Sequence, residues 1–147
     1  VAQAFGMQLD FSLARTSLLE GDPAPMIALW EDEDDEHWQS VSYLAMAFYT
    51  AGRKAESDAL MERLVDERGE THPFEIASAW AWRGDADEAF EWLDRALLRD
   101  RLQVVTWNRS PEFELLYDDP RWDEFLRRIE RHPDQLAEIR FDPKIPD

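Results

Sequence analysis

Residues 77–97 read ASAWAWRGDADEAFEWLDRAL, the pattern of two amphipathic helices joined at Gly84. Glycine takes the left-handed backbone conformation at little steric cost, a common way to stop a helix. Asp85 follows as a candidate N-cap, with Glu88 three positions later, where a capping box places its acid. Small residues at Ala77, Ala81, Ala89 and Ala96 let two helices approach closely, and Trp80, Trp82, Phe90, Trp92 and Leu93 fill the space around them. The unit expected is a helical hairpin, repeated along the chain.

A shift of 32 positions carries Gly84 onto Gly52, Ala77 onto Ala45, Trp80 onto Phe48, Ala89 onto Ser57 and Leu93 onto Met61, with Ala81 on Tyr49 the discordant pair. A further shift of 31 carries Gly52 onto Gly21, Ala45 onto Ala14 and Leu44 onto Leu13. In this first copy Ser17 stands in the aromatic's place and Met26 in that of the small residue. A period in the low thirties, made of helix, glycine turn and helix, is a solenoid signature.

The pattern resembles the tetratricopeptide repeat family, whose motif runs small, aromatic, Gly, Ala, large apolar. Ala77, Trp80, Gly84, Ala89 and Leu93 follow it, with Ala96 at the next small position, and Ala45, Phe48, Gly52, Ser57 and Met61 follow it more loosely. The resemblance spans residues 7–100. It implies an all-α fold, an α-α superhelix of about three helical hairpins, with a helical cap closing the C-terminal end.

Taken in order, apolar residues at Phe5, Leu9, Leu13 and Leu18 mark a first helix that ends at Gly21, and Asp22-Pro23 restarts a second to about Asp32. Glu31–Glu36 is an unbroken acidic run. It lacks the alternation and central glycine of a calcium loop and is expected to be a solvated connection. Residues 37–51 contain no Asp, Glu, Lys or Arg, so this helix is buried all round or turns a face to a groove. Lys54–Glu67 forms the next helix, with Ala55, Ala59, Leu60, Leu64 and Val65 as its apolar side. Thr71 is a candidate cap for the helix after it, which carries only Glu75 before Arg83.

After Asp100 the spacing changes. Residues 101–131 are expected to be capping helices, with Ser110-Pro111 and Asp119-Pro120 each a cap followed by a first-turn proline. Phe113, Leu116, Trp122, Phe125, Leu126 and Ile129 are expected to pack on the last repeat, in the manner of the closing segment that bacterial tetratricopeptide-type proteins carry. Arg127, Arg128 and Arg131 complement the dipole at the end of that helix. Residues 132–147 read as a short helix and tail. The whole, 1–147, is expected to be a single domain cut from a longer protein.

With 33 acidic and 16 basic residues the net charge is −17, which opposes nucleic acid and anionic membrane surfaces and favours basic partners. The absence of cysteine excludes disulfides and thiolate chemistry, and a cytoplasmic setting is expected. His37, His72 and His132 lack metal-pair spacing, and there is no nucleophile motif or phosphate loop. A metal-dependent hydrolase built from acid clusters and histidine is the weakest of the functional classes considered. No catalytic residue, cofactor or metal is expected.

In a tetratricopeptide-like stack the first helix of each pair lines a concave face. Carried onto this sequence, the groove comprises Gln8, Phe11, Arg15, Gln39, Ser42, Met46, Tyr49, Thr50, Phe74, Ser78 and Trp82, with Thr71 and Ala81 beside them. This implies a nearly uncharged groove with an acidic rim, and Tyr49 and Trp82 as aromatic anchors for a peptide or protein segment. The function implied is a non-enzymatic protein-interaction module, the C-terminal part of a larger bacterial regulator. The alternative is a homodimerising structural domain whose groove is self-occupied.

Overall fold

The computed structural model describes residues 2–31 and 38–139, and the side chains of 10–31 and 40–139. Among these the chain is all-α: α1 (Ala2–Leu19), α2 (Ala24–Trp30), α3 (Trp38–Thr50), α4 (Lys54–Arg68), α5 (Pro73–Arg83), α6 (Ala86–Arg99), α7 (Arg101–Trp107), a 3-10 turn (Pro111–Leu116), α8 (Pro120–Arg128) and α9 (Pro133–Ala137).

Three glycines set the hairpins. Gly21, Gly52 and Gly84 have φ of 91°, 77° and 80°. Each is followed by the same closing bonds: Asp22 N donates to Ser17 O at 2.8 Å, Arg53 N to Phe48 O at 2.8 Å, and Asp85 N to Trp80 O at 3.1 Å. This is the Schellman arrangement, in which a left-handed residue lets the next amide reach back and satisfy a helix-end carbonyl. Within each hairpin the two helices pack on one another (α1 on α2, α3 on α4, α5 on α6), and the first helices pack in turn, α1 on α3 and α3 on α5.

The small positions matched at a shift of 32 meet at these contacts. Ala45 and Ala77 are fully buried, as are Ser57 and Ala89, with Met61 and Leu93 beside them. Ser57 keeps its hydroxyl satisfied by donating to Ala45 O at 2.8 Å, which makes it tolerable at a position occupied by alanine in the next repeat. Arg83 then ties the second hairpin to the third. It donates to Ser57 Oγ at 3.2 Å, pairs with Asp58, and lies over the rings of Tyr49 and Trp80.

Several local expectations are corrected. Asp85 occupies the N-cap position of α6 but makes no capping bond; its carboxylate turns back to Arg83 Nε at 3.3 Å. His72, not Thr71, precedes α5, and Thr71 bonds His72 Nδ1 at 2.8 Å. Ser110 precedes the 3-10 turn without a side-chain bond. Leu13 is 61% exposed, so α1 packs through Ala14 and Leu18 instead. On α4 the buried side is Ser57, Met61 and Leu64, while Ala55 and Ala59 face solvent. The helix must turn its repeat-matched positions toward α3, and that rotates the alanines outward.

At the C-terminal end the 3-10 turn packs on α5, on which α3 also packs. The Phe113 ring lies 5.3 Å from that of Phe74 and stacks 6.1 Å from that of Trp122. In α8 the buried residues Trp122, Phe125 and Leu126, with Ile129 just beyond, fall 33 positions after Ala89, Trp92, Leu93 and Ala96, all buried too. Asp119 caps α8 by accepting from Arg121 N at 2.9 Å. Arg121 and Arg128 reach back across α6 to Asp87 at 2.7 Å and Asp94 at 2.6 Å, so both tie α8 to α6, and Arg128, in the last turn, also complements the helix dipole. Of the acidic run only Glu31 is described, paired with Arg53 at 2.7 Å; residues 32–36, His37 and the tail 140–147 lie outside the described residues.

Candidate functional site

The first helices leave a cavity of about 570 Å³ between them, lined from α1 (Phe11, Ser12, Arg15), α3 (Ser42, Tyr43), α5 (Phe74, Glu75, Ser78), α7 (Gln103, Trp107) and the 3-10 turn (Ser110, Glu112). That volume lies within the range of small-ligand and side-chain sites. Five of the residues expected in a groove are gathered here: Phe11, Arg15, Ser42, Phe74 and Ser78. The others are not. Met46 and Ala81 are buried in the core, and Thr71 lies at a different cleft, between α4 and α6. The side chains of Gln8 and Gln39 lie outside those described.

The expected anchors Tyr49 and Trp82 do not line the cavity. Trp82 Nε1 donates to Thr50 Oγ1 at 3.0 Å, and Thr50 donates in turn to Met46 O at 3.0 Å. Tyr49 lies under Arg83, 5.1 Å from the ring centre, with Lys54 at 5.9 Å. The 32-residue stride explains this. It places Thr50 directly against its equivalent Trp82, so the two satisfy each other.

The uncharged groove also needs correction, because the cavity holds three charges. Glu112 is 3% exposed and Arg15 31%. One carboxylate oxygen, Glu112 Oε1, accepts from Arg15 Nε at 2.8 Å, from Arg15 Nη2 at 2.7 Å and from Tyr43 OH at 2.8 Å. Burial, and then the charge of Glu112, push the Tyr43 phenol well up, with Arg15 pulling part of the way back. Tyr43 is therefore held as a hydrogen-bond donor. Burial acts against the charge of Arg15, but Tyr43 and Glu112 more than offset it, and its pKa is raised. Removing one partner of such a buried pair costs about 3–5 kcal/mol, and the partial exposure of Arg15 places this one toward the lower end.

Glu75 is the second carboxylate. Gln103 Nε2 donates to its Oε1 at 2.7 Å. Burial raises its pKa, opposed by its own backbone N–H and by Gln103. The remaining oxygens, Glu75 Oε2 and Glu112 Oε2, are shielded from solvent and have no donor among the described residues. A buried acceptor without a donor costs about 1–3 kcal/mol, and more when charged, so the cavity keeps two acceptors at the expense of stability. Its walls are aromatic: Phe11 meets Tyr43 edge-on at 5.1 Å, Phe74 backs onto Phe113, and Trp107 is 58% exposed.

Tyr43, Glu75, Gln103, Trp107 and Glu112 were not among the residues expected from sequence. Two of them carried a signal. Tyr43 and Glu75 are 32 positions apart, hence repeat equivalents, and Glu75 is the one acid in an otherwise uncharged helix before Arg83. Among the described residues no group of His, Cys, Asp and Glu side chains is arranged to hold a metal ion. His132 caps α9, accepting from Asp134 N, and His72 sits beside Thr71. No described helix is long and apolar enough to cross a membrane. No protein-family model, curated protein or solved structure matches the chain.

Proposed function

We propose that this chain is a non-enzymatic protein-interaction domain of tetratricopeptide-like design, acting in the cytoplasm and receiving a peptide or protein segment across its first helices. The observation that carries this is the cavity itself, framed by α1, α3, α5 and α7, with four aromatic side chains in its lining and two carboxylate oxygens without a donor among the described residues. Concave sites with apolar walls and a few convergent polar groups are the usual form of a binding site. The helix–glycine–helix stride and the matched small residues support the tetratricopeptide resemblance.

Selection of a displayed random-peptide library on the purified protein tests this, followed by fluorescence anisotropy of the enriched peptides. Ser78→Trp places an indole in the cavity and should weaken the enriched peptides at least about tenfold, ~1.4 kcal/mol, while leaving helicity by circular dichroism intact. Failure to enrich any peptide, or equal binding to Ser78→Trp, overturns the proposal. One observation favours a second reading, self-association: Leu98 and Leu102, on successive helices α6 and α7, are 90% and 75% exposed. A dimer in light scattering that is lost in Leu98→Lys is the result this reading requires.

A further inference from the structure

The cavity has a charge pattern that narrows its ligand. We infer that it receives a cationic side chain, Lys or Arg, presented by the bound peptide segment, with Glu75 and Glu112 as the acceptors. This rests on the peptide-binding role proposed above.

Three charged groups line the cavity, Arg15, Glu75 and Glu112. Arg15 is already paired: its Nε and Nη2 both go to Glu112 Oε1, and Nε also reaches Tyr43 OH at 3.0 Å. What is left is one net negative charge and two carboxylate oxygens, Glu75 Oε2 and Glu112 Oε2, with no donor among the described residues. The bonding of Glu112 is lopsided. Three donors crowd one oxygen while the other receives none among the described residues. A carboxylate accepts through both oxygens, so the arrangement is complete on one side only.

Because both open oxygens are shielded from solvent, an entering donor must displace part of the wall. Gln103 is the side chain with least to lose. Its amide is held by Glu75 Oε1 at 2.7 Å, a bond from a neutral donor. Replacing that donor by an ammonium or guanidinium puts charge on both sides of the bond and adds the attraction of an ion pair. The aromatic walls suit the same ligand. Phe11, Phe74 and Trp107 offer apolar surface to the methylene stem of Lys or Arg, and ring faces attract its charged head. A free acidic group would meet Glu75 and Glu112 with Arg15 already neutralised, so the site selects against acidic segments. The net charge of −17 gathers basic segments toward the molecule from a distance, but such attraction is unspecific. The carboxylates that line the cavity make the recognition local.

The test must separate this local recognition from bulk acidity. Peptides enriched on the wild-type protein are measured by anisotropy against Glu75→Gln and against Glu91→Gln. Both variants lose one negative charge; Glu75 lines the cavity, whereas Glu91 lies exposed on α6 beside Arg95. The expected result is that the enriched peptides share a Lys or Arg, that Glu75→Gln weakens them about tenfold, ~1.4 kcal/mol, and that Glu91→Gln changes them less than about twofold. Replacing the shared basic residue by norleucine should remove the difference between wild type and Glu75→Gln. Equal losses in the two variants would show that only overall acidity is read and would overturn the inference. So would enriched peptides that lack a basic residue. If such neutral peptides are still lost on Ser78→Trp, the interaction role survives and the cation specificity alone fails; if nothing is sensitive to Ser78→Trp, both fall. Glu75→Gln is preferred to Glu112→Gln because Glu112 also holds Arg15 and Tyr43, and its loss disturbs folding.

Discussion

The central hairpins, α3 to α6, and the closing segment, the 3-10 turn with α8, solve the same packing problem with opposite materials. In the hairpins the contact positions are small: Ala45, Ser57, Ala77 and Ala89 are all fully buried. In α8 the equivalent positions, 33 residues on, carry Trp122 for Ala89 and, just past its end, Ile129 for Ala96. A repeat that must accept a neighbour keeps its seam narrow. The element that ends the stack fills the space with its own rings, Phe113, Trp122 and Phe125, which cluster against Phe74 of α5. The same difference accounts for the cavity. It opens where the long first helices give way to the short α7 and the 3-10 turn, too brief to fill the concave side.

This contrast can be broken from either end. The largest effect is expected at the closing segment, where Phe113→Ala deletes a fully buried ring that joins α5 to α8. A loss of about 3–5 kcal/mol is expected, measured by urea denaturation, with a lowered midpoint and an unchanged slope if the hairpins remain folded with it. In the hairpins the reverse change should hurt. Ala77→Leu inserts bulk into a closed seam and is expected to cost about 1–3 kcal/mol, whereas a stabilised variant would show that the seam has slack. Gly84→Ala sharpens the comparison at the turn. A Cβ there meets only Leu115 Cδ1 at 3.9 Å, so room exists, and the cost comes from the backbone at φ +80°. About 1–2 kcal/mol is expected from the left-handed conformation alone, seen as a lower Tm with unchanged helicity at low temperature.

The smallest effect concerns pH. Burial raises Glu75 above the ordinary carboxylate value. Its contribution to stability is therefore fully present below its unfolded pKa and is lost as pH rises through the raised folded value. Glu75→Gln, which cannot ionise, should melt at or above wild type near neutrality, and the difference should vanish below roughly pH 4.3. A variant less stable than wild type at neutral pH would mean that the ionised carboxylate is well satisfied, contrary to its unpartnered Oε2. Carboxylates held low by arginines, such as Asp58 by Arg83, act in the opposite sense and are common to both proteins, so they cancel in the comparison.

The elements were legible because their causes are local. Gly21, Gly52 and Gly84 announce their stops, since a left-handed residue is a cost that only glycine avoids. The prolines at 111 and 120 announce their starts, and the matched pairs Ala45 with Ala77 and Ser57 with Ala89 give the stride. Leu13 shows where this stops. Its spacing in α1 is that of a core residue, yet it faces solvent, because periodicity places residues on a common face without saying which face meets a neighbour.

By itself, then, the amino-acid order determined an all-α chain, the places where its helices begin and end, and the interval at which they repeat, all set by interactions within a few residues. Only the tertiary structure decided which side chains share the cavity. Arg15 and Glu112 stand 97 positions apart, and nothing near either in sequence selects the other. Tyr49 and Trp82 look like anchors until packing hands them to Arg83 and Thr50. A charge's partner is fixed by distance in space, and that distance exists only once the hairpins have stacked.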